Sequence, residues 1–590
     1  MKDFFKFTFA SCLGVLLATI VFGIFFALIV GAVINSSGGS EADQEVKKNS
    51  ILTLRLDQFM PEQTNNTENR TFNFENPDVL GLHDVLDMIE HAKEDDKIEG
   101  IYIDGDQIMT GFSSSRLLRD AIIDFKESGK PVVSHANNYG QMQYYLASTA
   151  DHIFLSPTGM LDFRGFGAVS PFFKGTLDKL GVEMNVFYAG DYKSATEPFR
   201  RTDMSEENRE QTRQYLDESY NLFLEDIAAH TDLSKATLLD AANSLDTWNP
   251  QKVADINMVD ELGYRSDAIR KLKELIEIEE DDKMYLVDPS SYGMSYKEST
   301  SGSSKQRVAV VYAEGEIRDG EDTPGMITGD KYVALLRKLR YNDDVKAVVL
   351  RVNSPGGSVI SSDAIWHEVE RIQEAGKPVI VSMGDLAASG GYYIACGSDK
   401  IYSQPNTITG SIGVFMMMPN TREFLEDKIG MTFDTVATAK YSTRLNGIYE
   451  PNAAEGQALQ MMVDNYYQVF LQRVAEGRGM SVEDVHKVAQ GRIWTGNRAQ
   501  TLGLVDEIGT LEDAIAEAAS MAELDDYRIY EYPKVKNQWE QLMESFTNQD
   551  KVAKAAIDDK ISSVVPYYDF LNSCIESDAP QARLPIFIEY

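Results

Sequence analysis

The chain opens on one long apolar block and then settles into short apolar runs alternating with amphipathic stretches. Residues 7–34, "FTFASCLGVLLATIVFGIFFALIVGAVI", carry no charge and exceed the roughly 20 apolar residues needed to cross a bilayer. The block is longer than the apolar core of a cleaved leader, so it reads as one retained transmembrane helix. "FASC" has the look of a lipoprotein cleavage site, but the apolar run continues well past Cys12. Further on, "RVAVVYAEGEI" (307–317), "AVVLRV" (347–352) and "PVIVSM" (378–383) have the pattern of buried strands. "SSDAIWHEVERIQEAG" (361–376) is an amphipathic helix ending at Gly376, and "GGYYIACG" (390–397) is a short helix. Strand and helix in alternation predict an α/β fold of parallel strands with crossover helices. The long helical stretch 454–479 is expected to pack on that core or on a neighbouring copy.

The pattern occurs twice. "MVDELGYRSDAI" (258–269) lies over "LVDEIGTLEDAI" (504–515) without a gap. "KPVVSHANNYGQMQYYLASTADHIFLSP" (130–157) lies over "KPVIVSMGDLAASGGYYIACGSDKIYSQP" (377–405) with one gap, and "DDKIEGIYIDGD" (95–106) over "NDDVKAVVLRVN" (342–353). The chain is a tandem duplication. We place a first repeat at 49–287, a Ser/Gly-rich linker at 288–306, a second repeat at 307–535, and an extension without an assigned role at 536–590.

Composition narrows the class. With 56 basic and 92 acidic residues the net charge is −36, which repels phosphate backbones and speaks against nucleic-acid binding. Lys2 and Lys6 precede the apolar block while Glu41, Asp43 and Glu45 follow it, which puts the first residues in the cytoplasm and the body outside. Three cysteines (Cys12, Cys396 and Cys574) make no disulfide framework, and seven scattered histidines make no metal-ligand spacing. Cys396 reads either as a buried small residue or as a partner for Cys574. No cofactor motif is present.

The candidate chemistry comes from comparing the repeats. Aligned on the paired tyrosines, Ser389 faces Gln141, and Gly390 and Gly391 face Met142 and Gln143. Aligned on Tyr192 over Tyr441, Lys193 faces Ser442, while Lys440 sits two positions earlier. If that segment is extended, the shift keeps the face but moves the amine by about 6.6 Å. One repeat keeps a serine and the other a lysine, which points to one composite site. A serine hydroxyl needs a base, and a neutral lysine serves if burial lowers its pKa from about 10.4. The competing reading of Lys193 is an ordinary surface lysine. "NSPGG" (353–357) follows a buried strand, and its double glycine lets backbone amides approach a ligand as an oxyanion hole, with the Gly390 amide as second donor.

"NSPGG", "ASGGYY", "TGSIGV" and "GDYKSA", in one chain behind an apolar block, resemble the long, duplicated form of the signal peptide peptidase A (protease IV) family. The resemblance runs from the block to about residue 530. It implies tandem crotonase-like, Clp-protease-like domains and a serine peptidase that degrades cleaved signal peptides and other extended apolar peptides. It further implies a homotetramer in the bacterial inner membrane, with the catalytic body on the periplasmic side. In it Ser389 matches the nucleophile, Lys193 the general base, Gly356 and Gly390 the oxyanion region with Gly357 shaping the turn, and Ser411 a partner of the lysine. Short family members hold serine and lysine in one repeat, which keeps Lys440 as a rival base. Ser411 is otherwise a polar turn residue. Two other readings stand beside this one: a silent membrane-anchored peptide-binding scaffold, and a crotonase-type acyl-CoA enzyme, which lacks an evident carboxylate acid/base here.

Overall fold

The computed structural model describes residues 46–66, 79–296, 304–535 except 321 and 324, position 14, and the backbone of 581–583. The apolar block at 7–34 lies outside the described residues but for position 14, as does Cys574. Among the described residues no helix is long and apolar enough to cross a membrane.

The first repeat is built on β1 (Ser50–Leu54), β2 (Ile98–Asp104), β3 (Val132–Ala136) and β4 (His152–Leu155). They form a parallel sheet in the spatial order Glu261–Leu262, β4, β3, β2, β1, Tyr285–Val287. Successive side chains point to opposite faces, so Leu52, Leu54, Ile101 and Ile103 enter one core while Ile51, Tyr102, Val133 and Phe154 enter another. The repeat then sends out β5 (Glu183–Ala189) and the 25-residue helix α1 (Glu206–His230).

The second repeat copies the plan. β6 (Arg307–Glu314) pairs in parallel with β7 (Val345–Ser354), which leads into the short β8 (Gly356–Ser358) and helix α2 (Val359–Glu374). β9 (Val379–Ala388) follows, then helix α3 (Gly390–Ala395) and β10 (Val414–Asn420). Gly376 ends the α2 turn with φ 79°, as the sequence pattern predicts. The duplication extends to single hydrogen bonds. Lys130 Nζ donates to the carbonyls of Ala92 and Asp95, and Lys377 Nζ to those of Leu339 and Asn342. Asp151 caps the Val132 amide as Asp399 caps that of Val379, and Asp260 and Asp506 repeat the device at Ile153 and Ile401.

Part of the stretch read as a linker is ordered: Pro289–Tyr296 is a helix, and Tyr292 is buried with its hydroxyl on Asp95. The repeats are joined by more than a connector. A third sheet runs Ile327–Thr328, Ile317–Arg318, β8, then β11 (Gln581–Arg583), β10 and β5. In it β5 of the first repeat pairs antiparallel with β10 of the second over seven residue pairs, from Ala189 opposite Val414 to Glu183 opposite Asn420. Helix α1 also crosses over: Gln211 accepts from the Ile493 amide, and Glu218 pairs with Arg498 and Thr495.

Candidate active site

Ser389 stands between β9 and α3, at the helix N-cap, with φ 57° and ψ −116°. That conformation is costly for a residue with a Cβ, and such strain persists only where surrounding contacts hold it. Here the Ser389 amide donates to the Gly410 carbonyl at 2.8 Å, and its own carbonyl accepts from the Tyr393 amide at 2.8 Å. Small neighbours make the turn possible. A Cβ on Gly391 would lie 2.7 Å from the Ser354 carbonyl oxygen.

Lys193 reaches this serine from the other repeat. β5 is stitched to β10, and four residues after it ends Lys193 is pinned by its amide on the Gly190 carbonyl and by the Tyr192 amide on the Gln490 carbonyl. The backbone of Gly491, at φ 77°, passes so close that a Cβ there would lie 2.6 Å from Lys193 Cβ. Lys193 Nζ lies 2.7 Å from Ser389 Oγ, 3.0 Å from the Ser411 carbonyl oxygen and 3.0 Å from Ser411 Oγ. Ser389 and Ser411 are 0% exposed and Lys193 1%. Burial, with no compensating carboxylate, pushes the Lys193 pKa well below its ordinary value.

The sequence-predicted glycines are here as well. A Cβ on Gly390 would lie 3.0 Å from the Gly357 nitrogen and 3.1 Å from Gly356 Cα, so the double glycine and the start of α3 share one small space. The Gly356 amide donates to Ser354 Oγ at 3.1 Å. Gly390 is the first residue of α3, where the helix itself offers its amide no acceptor.

Lys440 is not in this group. It is exposed, with its amine 4.9 Å from the Tyr441 ring centroid. The stretch 435–447 is turns and bends instead of a strand, so the two-residue register shift has no extended backbone to act along. At the first repeat's counterpart of Ser389, the buried Gln141 accepts from the amides of Arg164 and Gly165. Sequence reasoning missed the Gln490–Arg492 turn that seats Lys193, and Gln211, whose amide donates to the Tyr192 carbonyl and Ser194 Oγ. The signal for the turn was slight: a lone glycine between two polar residues after a helix.

A buried serine beside a buried amine, on tandem α/β domains, is the equipment of a serine hydrolase. Comparison with known proteins specifies the class. The profile of Peptidase family S49 matches residues 124–279 and again 371–525, and that of Clp protease matches 307–412. The chain is 36% identical to Protease 4 of Salmonella typhi over 496 residues, covering 82% of this chain and 78% of that one. It is 36% identical to Protease 4 of Haemophilus influenzae over 516 residues, covering 84% and 83%. To the chloroplastic serine protease SPPA of Arabidopsis thaliana it is 31% identical over 488 residues, covering 82% and 70%. The protein is a serine peptidase with two tandem domains. It belongs to peptidase family S49.

Proposed function

We propose that the chain cleaves extended peptides with a Ser389–Lys193 dyad assembled across its two repeats. The 2.7 Å separation of Lys193 Nζ and Ser389 Oγ in a fully buried pocket carries this reading. A neutral amine has one lone pair and two N–H groups. The lone pair accepts the Ser389 proton while the two N–H groups donate to the carbonyl and hydroxyl of Ser411, which leaves no polar group of the amine unmatched. Ser389 Oγ then attacks the scissile carbonyl, and its proton passes to Lys193. The oxyanion takes hydrogen bonds from the amides of Gly390 and Gly357, the Gly356 amide being engaged by Ser354. Collapse expels the amine, which leaves with the proton held on Lys193, and an acyl-enzyme remains. Lys193 next deprotonates a water that attacks the ester, and returns that proton to Ser389 as the acid departs.

The substrates fit a membrane setting. The uncharged block at 7–34 supports a single anchor with the catalytic body on the outer face of the bacterial inner membrane. The motif resemblance supports cleaved signal peptides as substrates and a homotetrameric assembly. The test is peptide cleavage by the full chain, comparing Ser389→Ala, Lys193→Ala and Lys440→Ala. Activity falls by about 10³-fold or more in the first two and is retained in the third. A dead Lys440→Ala beside an active Lys193→Ala overturns the composite dyad.

A further inference from the structure

The cross-repeat sheet contains a strand that neither repeat supplies. β11 lies between β8 and β10. It runs antiparallel to β8, with Arg583 opposite Gly356, Ala582 opposite Gly357 and Gln581 opposite Ser358, and Gln581 also faces Phe415 of β10. It rests against α3, the helix that Ser389 begins. β8 carries the double glycine, and β10 pairs on its far edge with β5, the strand that leads to Lys193. Three residues from the distal end of the chain therefore fill the slot between the strands that carry the two halves of the site. With β11 absent, β8 and β10 each present a row of unpaired N–H and C=O groups to that slot. Such a slot accepts an extended backbone by strand addition, largely without regard to its sequence.

A second observation concerns access. With the strand in place Ser389 has no exposed surface and Lys193 almost none. A polypeptide reaches this hydroxyl only if something leaves. The segment that fills the slot is also suited to leaving: Pro580 precedes β11 and Pro585 follows it closely, and neither has an N–H to extend the ladder.

We infer that the slot between β8 and β10 is a peptide-binding track and that the chain's own C-terminal segment is its resident occupant, which a substrate must displace. The inference rests on the peptidase reading above and gives the extension after residue 535 a role. Tail and substrate compete for one track, so the tail raises KM and leaves kcat unchanged. A tethered competitor acts at an effective concentration on the order of millimolar, enough to matter even when its three-residue ladder is weak.

The experiment compares the full chain with one ending at Ser577 and with the full-length Ala582→Pro variant, which loses one strand N–H. On an unstructured peptide, both changes lower KM by at least about threefold at constant kcat, and a synthetic peptide of residues 576–590 restores the higher KM to the shortened chain. Equal KM in all three chains overturns the inference. Occupancy is read separately by amide exchange in the Ser389→Ala background, where no cleavage occurs. Removing residues 578–590 speeds exchange in 356–358 and 414–420; unchanged exchange overturns the strand's occupancy. Faster exchange in a protein whose wild-type form cleaves no peptide instead overturns the peptidase reading and leaves the track standing.

Discussion

Lys193 Nζ and Ser389 Oγ stand 2.7 Å apart although 196 residues separate them in the chain. Two devices bring them together: seven antiparallel pairs between β5 and β10, and the Gly491 backbone that leaves room beside Lys193 Cβ. No carboxylate contributes to the shift in the lysine's pKa, even though the chain holds 92 acidic residues. The amine is left without a counter-charge, which is the condition a lysine base requires.

The activity should follow the neutral amine. Cleavage rises with pH through a single ionisation whose midpoint lies well below the ordinary lysine value of about 10.4, and falls as pH drops through it. A pH profile of kcat/KM checks this; an ascending limb centred near the ordinary value contradicts it. Stability has the same origin. The unfolded chain holds the proton more tightly than the fold, so stability increases with pH between the lowered value and about 10.4. Lys193→Met, inactive, should be more stable than the parent near neutral pH, and thermal melts should show the gap closing toward pH 10.

Ser411 offers the amine two acceptors, its carbonyl and its hydroxyl, both at 3.0 Å. Ser411→Ala removes one and lets the amine turn away from Ser389. We expect kcat to fall by about tenfold to a hundredfold with KM little changed and the fold intact. Steady-state kinetics beside a melting curve separate this from general damage, which would lower both.

Gly357 has φ 152°, and a Cβ there would lie 1.9 Å from the Ile317 carbonyl oxygen, a rigid backbone atom. Gly357→Ala must push β8 away from Ile317–Arg318 and displace the amides beside Gly390. Activity should fall by about 10²-fold or more, and the thermal midpoint should drop. Wild-type kinetics in this variant would remove β8 from the oxyanion assignment.

The repeats are also locked by a buried ion pair. Arg351 on β7 donates through Nε to Glu62 Oε2 at 2.9 Å, and Asn353 donates to Glu62 Oε1 at 2.9 Å. Burial alone would raise the Glu62 carboxyl, but the Arg351 charge and the His83 contact hold it down at about 2. Glu62→Gln strands a guanidinium that is 1% exposed, at a cost of about 3–5 kcal/mol by denaturant unfolding. Because the carboxyl is depressed, its contribution is present above the ordinary glutamate range and lost as pH falls through about 2. The Gln variant should lack that part of the acid limb.

Much was legible in the chain because it is local. Alternating apolar runs specify strands and helices residue by residue, so β6, β7, α2, β9 and α3 could be read directly, and self-alignment exposed the duplication. "ASGGYY" marked Ser389 because a serine before two glycines and a short helix is itself a local pattern. Which lysine serves was not local. Lys193 and Lys440 sit in comparable sequence surroundings, yet one is 1% exposed and the other lies at the surface. Burial, and with it the lowered pKa, depends on what the rest of the chain packs against a residue. The same holds for the Glu62–Arg351 pair and for β11, whose partners lie more than 150 residues away in sequence. Periodicity carries no record of which distant edges meet. The sequence by itself determined the elements, their doubling and the nucleophile's turn; the tertiary structure alone decided which amine is desolvated beside it and which strand lies in the slot, because desolvation and strand pairing arise only when distant segments pack.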